Sequence, residues 1–427
     1  MRKFLLLIFL LPALFSSITV ISTEKDFVLD EEEKYHFTST TYGRYYDSIP
    51  TNPNVYGETP TFTDSTLSKT AGKLVPDQPI QITGFYVNEE GVPIFKLKNG
   101  QFVIADKNTI YEDTVQSIQD IHQEMWLKSG FILYDKANIN GAKKINTTLA
   151  PYTKVNIVQI VQTVKGTYAQ IEGQGWVSME FLDETDNRMD KVQEILSSKY
   201  NKADYSIYVK QLDTGKEAGI NQDQEMYSAS VTKLPYLYYV QEQLDQKKLS
   251  LDQKFKYIGA VNDFAGAYEP EGSGSIAKSA DDKEYSVQDL INRVAKESDN
   301  VAHNILGYYA TNQSDKNFQQ TINKIAGKKW DVEERQASSR MAGNVLEAIY
   351  EQNGMIIDAL SQTNYDNQRI SKNIDAKVAH KIGDAYDFKH DAAIVYTDSP
   401  FIIVIFTNNS NYDNISQIAD DVYGVLK

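Results

Sequence analysis

Cysteine is absent from all 427 residues. Disulfide scaffolds, thiolate zinc sites, cysteine nucleophiles and a lipidated N-terminal cysteine are therefore excluded. Positive charge is scarce as well: 43 Lys and Arg stand against 58 Asp and Glu, a net −15 with a pI near 4.9. So acidic a chain offers no basic face, and neither nucleic acid nor an anionic lipid surface is expected as a partner. Proline is sparse at 11 residues. With 41% apolar and 24% charged residues the composition is that of a globular protein, not of collagen, a coiled coil or a disordered chain. Histidine occurs five times without any H-E-x-x-H spacing, so no metal and no cofactor is expected. The length allows two to three domains. What stays open is serine, acid or histidine chemistry, or none.

Long apolar runs are also rare. The marked one follows Met1-Arg2-Lys3, from Phe4 to Phe15, and continues less strictly to Ser22. A short basic start and an apolar core describe a secretory signal, with Val20 and Ser22 as small residues before a cut. Phe4–Ser22 also approaches the ~20 residues that span a bilayer, so an uncleaved anchor is the alternative. Either version assigns residues 1–23 to export and places the remainder outside the membrane. Membrane involvement is expected only through this segment. Export without cysteine fits an extracytoplasmic position at a bacterial surface.

Residues 24–60 begin with Asp30-Glu31-Glu32-Glu33 and continue rich in Thr, Tyr, Ser and Pro, which reads as a spacer. Two stretches then alternate apolar and polar residues around turns. One runs from Ile80 to Val103, the other from Val155 to Val177, with Phe102 and Trp176 at matching places. They predict small β modules over 61–112 and 113–185. Asp113–Leu127 has helical spacing and is expected to link them. The two stretches resemble bacterial Src-homology-three-like wall-binding modules of the GW type, on Gly175-Trp176. That resemblance implies a cell-wall polymer as partner through residues 61–185.

From about Asp186 the pattern changes to helix (Arg188–Tyr200), strand (Tyr205–Val209), a turn at Asp213-Thr214-Gly215-Lys216, many helices, then strands Ala392–Tyr396 and Phe401–Phe406 and a last helix. This is an α+β layout over 186–427 in which both ends of the domain join one antiparallel sheet, beside an all-helical subdomain.

Here stands Tyr227-Ser228-Ala229-Ser230-Val231-Thr232-Lys233-Leu234-Pro235. Ser230 and Lys233 share a face at a predicted helix start. A serine hydroxyl needs a base, and lysine serves when burial or a second cation lowers its pKa. A second S-x-x-K, Ser275 to Lys278, lies in a Gly-rich run with no following helix and reads as a loop. Ser298-Asp299-Asn300 and Lys381-Ile382-Gly383 follow Ser230 in order. The ordered trio resembles the S-x-x-K, S-D-N and K-T-G motifs of class A β-lactamases and penicillin-binding proteins. The resemblance covers roughly 187–427, with Asn304, Gln368-Arg369-Ile370 and Val378-Ala379-His380 as further matches. It implies an acylated Ser230, Lys233 as base or relay, and Ser298 as proton donor to the leaving nitrogen. Asn300 would hold the substrate amide and Lys381 would steer a carboxylate. The N–H groups of Ser230 and Asp384 would form the oxyanion hole. The implied substrate is a β-lactam or a D-alanyl peptide of peptidoglycan.

Two departures stand beside the matches. Ile382 replaces the hydroxyl residue that meets the substrate carboxylate, a loss of about 1–3 kcal/mol where a buried polar partner goes missing. Between Ala326 and Met341 there is no Glu-x-x-Leu-Asn, and Glu333 and Glu334 read as solvated charges. Deacylation is therefore expected to be slow. The alternative is a catalytically degenerate wall-binding or partner-binding protein that keeps the fold. A Ser–His–Asp triad is disfavoured: His303 and His380 lie near the motifs, but no G-x-S-x-G elbow accompanies them.

Overall fold

The computed structural model describes residues 43–427. The export segment expected at 1–23 lies outside the described residues. Among those described, no helix is long and apolar enough to cross a membrane.

Two compact units are present. Among the described residues, the first gathers 43–121 together with 132–146 and 159–177, and the second holds 122–131, 147–158 and 178–427. The boundary falls inside the two longest strands, Val115–Leu127 and Lys154–Thr163.

β-Structure dominates the N-terminal part. Ile82–Val87, Pro93–Leu97 and Phe102–Ile104 form a meander, as do Lys154–Thr163, Gly166–Ile171 and Gly175–Ser178. The repeat seen in sequence is thus a repeat of three consecutive neighbouring strands. Phe95, Leu97, Val103 and Ile110 form a core with Tyr46 and Val55. Two expectations are corrected. The spacer is structured from residue 43 onward: Pro53–Val55 pairs antiparallel with Ile110–Glu112, and Asn54 is buried with its amide on Asp113 at 2.9 Å. Polar composition hid a segment held by side-chain hydrogen bonds together with the burial of Tyr46 and Val55. The predicted helical link Asp113–Leu127 is instead the strand Val115–Leu127. Its Val and Ile spacing is not a buried stripe, since Ile118 is 62% exposed, and pairing within the sheet overrides local periodicity.

The C-terminal unit is built on five antiparallel strands: β1 (Tyr205–Gln211), β2 (Glu217–Ile220), β3 (Lys377–Ala385), β4 (Phe388–Tyr396) and β5 (Phe401–Asn408). Their order is β2-β1-β5-β4-β3, and Ile207 faces Ile405 across the β1–β5 pair. Both ends of the domain therefore meet in one sheet. Helices α1 (Arg188–Lys199) and α8 (Tyr412–Leu426) cover one face with Val192, Leu196, Ile418 and Val422 against Ile403 and Ile405. The other face, with Ile402, Val404 and Phe406, packs under the helical subdomain. Burial on both faces is why Phe401–Phe406 is apolar without a break. The subdomain comprises α2 (Lys233–Asp245), α3 (Val287–Lys296), α4 (Asn300–Tyr309), α5 (Lys316–Ala326), α6 (Ser339–Gln352) and α7 (Met355–Leu360).

Candidate active site

The segment before Ser230 is fastened at several points. Met226–Tyr227 pairs with Gln336–Ala337. Ser228 donates through N and Oγ to Arg335 O, at 2.7 and 2.8 Å. His390 Nε2 donates to Tyr227 O at 2.8 Å, while its Nδ1 accepts from Thr407 N at 3.1 Å. That is the neutral Nε2–H tautomer, and burial holds the ring down at about 4. Such anchoring over-determines a strained backbone: Ala229 sits at φ 48°, a left-handed conformation costly for a non-glycine residue. Ser230 follows in a 3-10 turn, Ala229–Thr232, and Lys233 opens α2. The expected helix thus starts later than Ser230. In a 3-10 turn residues three apart eclipse, so the two side chains still share a face. Pro235 falls in the first turn of α2, where no intrahelical bond is lost.

Ser230 and Asn300 border a cleft of about 360 Å³ together with Tyr268, Arg335 and Asp384. Lys233, Ser298 and Lys381 are buried. Lys233 Nζ donates to Ser298 O at 2.6 Å and Asn300 Oδ1 at 2.7 Å, and lies 3.3 Å from Ser298 Oγ. Lys381 Nζ donates to Ser298 Oγ at 2.8 Å and Ile382 O at 3.0 Å. Ser298 Oγ therefore stands between the two amines. Burial, and then the charge of Lys381, push the Lys233 ammonium well below the usual lysine range. Burial, and then Arg369, bring Lys381 down to about 7. A neutral Lys233 has two N–H bonds, which the Ser298 carbonyl and Asn300 Oδ1 take, leaving a lone pair to accept a proton.

The third motif is shaped by close approach. A Cβ on Gly383 would lie 2.8 Å from Ser228 O and 3.0 Å from a Val231 methyl, so only glycine lets β3 pass the Ser230 segment. Alternation along β3 puts Lys381 and Gly383 on one face and Ile382 on the other, where it is buried. The Asp384 carboxylate turns away to Arg369 at 2.6 Å and Lys389 at 3.0 Å. Its contribution to the cleft is its backbone.

Ser298 is itself left-handed, at φ 55°. Asp299 caps α4 by accepting from Ala302 N and receives Ser275 N and Ile276 N at 2.7 and 2.9 Å. The Gly-rich loop is thus a clamp on Ser298–Asn300, and a Cβ on Gly274 would collide with the Asp299 carboxylate at 2.1 Å. The second S-x-x-K is a loop, as expected.

Several residues escaped the sequence reading. Tyr268 donates from its hydroxyl to Ala229 O at 2.8 Å, and its N and O both bind the Asn304 amide. Arg335 stacks 4.1 Å over the Tyr268 ring. No motif announces either residue, because their roles depend on chain folding around Ser230. Glu333 and Glu334 are exposed, in keeping with solvated charges. The histidine triad is not assembled. Both ring nitrogens of His303 are buried without a partner, and its ring meets those of Tyr236 and Tyr268. His380 binds Asp391 at 3.0 Å and Asp366 at 3.1 Å. Among the described residues, no group of three or more His, Asp or Glu is arranged to hold a metal.

Comparison with known families decides the lineage: the β-lactamase enzyme family matches residues 187–426. The chain belongs to the β-lactamase enzyme family. It is thereby grouped with serine hydrolases, and the match spans the sheet and every segment that supplies the cleft. Solved structures with a similar fold include PBP-A, at 17% identity and TM-score 0.47, covering 56% of this chain and 96% of that one. A β-lactamase from Sphaerobacter thermophilus follows at 17% identity and TM-score 0.45, covering 56% and 95%. Another, from Chitinophaga pinensis, shows 21% identity and TM-score 0.44, covering 56% and 100%. None of the curated proteins matches.

Proposed function

We propose that this β-lactamase-family protein is an exported serine acyl-enzyme whose substrates are β-lactams or D-alanyl peptides of peptidoglycan, and whose acyl-enzyme hydrolyses slowly. The observation that carries this reading is Ser298 Oγ held between the Lys233 and Lys381 amines behind a cleft bordered by Ser230. In the first step Ser230 Oγ attacks the substrate carbonyl and its proton passes to Lys233 Nζ. The N–H groups of Ser230 and Asp384 hold the oxyanion. The proton then passes by way of Ser298 Oγ to the leaving nitrogen, the C–N bond breaks, and an ester on Ser230 remains. Water must be activated to cleave that ester. The exposure of Glu333 and Glu334, and the arginine that enters the cleft from the same loop, support slow deacylation. Residues 61–185 would hold the enzyme near wall polymer.

Ile382 favours one rival, a binding protein without turnover. Incubation with a fluorescent penicillin, intact-mass analysis and a nitrocefin rate separate the two. A Ser230-dependent adduct with little nitrocefin turnover is expected. Rapid nitrocefin loss would overturn slow deacylation, and absence of both adduct and turnover would favour the binding protein.

A further inference from the structure

The short loop between α5 and α6 brings a cation, Arg335, to the cleft, and among the described residues it has no ionic partner. Arg335 stands in left-handed backbone, at φ 55°, with its carbonyl occupied by Ser228. Its Nη2 donates to Gly266 O and Ala267 O, at 3.3 and 2.8 Å, and the guanidinium lies over Tyr268. These acceptors are neutral, and Nε is buried with no acceptor at all. A guanidinium held flat against an aromatic ring at the wall of the cleft, with no carboxylate on it, is placed to take an anion by a charge-assisted hydrogen bond.

Its location selects which anion. Tyr268 adjoins Glu269, whose carbonyl holds the Asn300 amide at 2.8 Å. Arg335 is therefore on the Asn300 side of Ser230, where the substrate amide would lie. Lys381, which would steer the substrate's other carboxylate, reaches the site from the Ser298 side. We infer that Arg335 binds a carboxylate carried on the acyl side of the substrate, so that the enzyme selects acidic acyl donors. This inference rests on the acyl-transfer reading above.

The test uses two penicillins that share the ring carboxylate and differ in a second carboxylate on the acyl chain: carbenicillin, which has it, and benzylpenicillin, which lacks it. Acylation of the full chain, followed by intact mass, is expected to be at least about tenfold faster with carbenicillin, the ratio that one charge-assisted pair supports. In Arg335→Gln the ratio should fall to about one, and Arg335→Lys should keep part of it. Thermal melting reports whether each variant is folded. A ratio near one in the native protein overturns the inference. So does a ratio unchanged in Arg335→Gln, or an equal slowing of both penicillins, which would mean that Arg335 only positions Tyr268. If neither penicillin acylates the native protein, the acyl-transfer reading fails. Calorimetric binding of the same pair to Ser230→Ala then judges Arg335 separately: an Arg335-dependent preference for carbenicillin supports its role, and equal binding refutes it.

Discussion

His380 and Lys381 are consecutive residues of one buried strand, yet their ionisation is inverted relative to free histidine and lysine. Burial disfavours charge at both. At Lys381 the facing groups are hydroxyl, carbonyl and the Arg369 cation, and the amine falls to about 7. At His380 burial also opposes charge, but Asp391 and Asp366 outweigh it and the imidazole rises to about 9. Strand alternation turns one side chain to the Ser298 pocket and the other to a carboxylate clamp. The clamp extends further, since Asp391 also accepts from Ile370 N at 3.1 Å. One side of the strand thus sets an amine beside the Ser298 hydroxyl, and the other holds the sheet to the segment before it. Burial lowers both groups, and only the facing carboxylates at His380 reverse it.

The contrast is broken most strongly at the catalytic end. Lys233→Met should lower acylation of Ser230 by about 10²–10⁴-fold, the range of general-base catalysis, in a fluorescent-penicillin time course. Its melting temperature should change little: a buried amine no longer has to be desolvated, while Ser298 O and Asn300 Oδ1 lose its hydrogen bonds. Undiminished labelling would remove Lys233 from its role. On the clamp side the effect should appear in stability. Asp391→Ala leaves His380 short of its buried counter-charge and should cost about 3–5 kcal/mol in urea unfolding. A loss below about 1 kcal/mol would show the clamp to be dispensable.

Two pH experiments sharpen the same comparison. The folded-state pKa of His380 is raised to about 9 from an ordinary 6.5, so the protonated ring stabilises the fold. That stability, about 3 kcal/mol, is fully present below pH 6.5 and is lost as pH rises through 9. The margin in urea midpoint between the native protein and His380→Gln should be larger at pH 6 than at pH 9.5, since Lys381 titrates in both and cancels from the difference. Acylation should follow the lysines instead. Lys381 carries its charge below about 7, so acylation by substrates with a ring carboxylate should decline as pH rises through that value. A profile flat from pH 6 to 8 would contradict this. The smallest effect is expected at the third motif: Ile382 is buried on the face of β3 away from Lys381, so Ile382→Thr should leave the acylation rate of benzylpenicillin unchanged, and a marked rise would show that the hydroxyl reaches the substrate.

Much of the site was readable from order and spacing. Ser230, Lys233, Ser298, Asn300 and Lys381 are brought together by the fold around one cleft and the pocket behind it. What failed to show were groups whose meaning is three-dimensional. Tyr268 and Arg335 come from separate loops and meet only because Asn304 pins one and Ser228 the other. Gly274 reads as an ordinary loop glycine, and Gly383 as the end of the third motif, until the carboxylate and backbone against them are seen. Periodicity also misled once, at Val115–Leu127, where exposed Ile118 imitates a helical stripe.

The missing cysteines by themselves excluded a thiol nucleophile, and the ordered motifs pointed to a serine within an α+β domain over 186–427. Those are properties of residue type and chain order, which folding does not alter. Only the tertiary structure decided how the two lysines share Ser298, which histidine is charged, and that an arginine with no carboxylate on it enters the cleft. Each of those depends on what faces a buried group across space, because a low-dielectric interior disfavours charge and only facing carboxylates restore it.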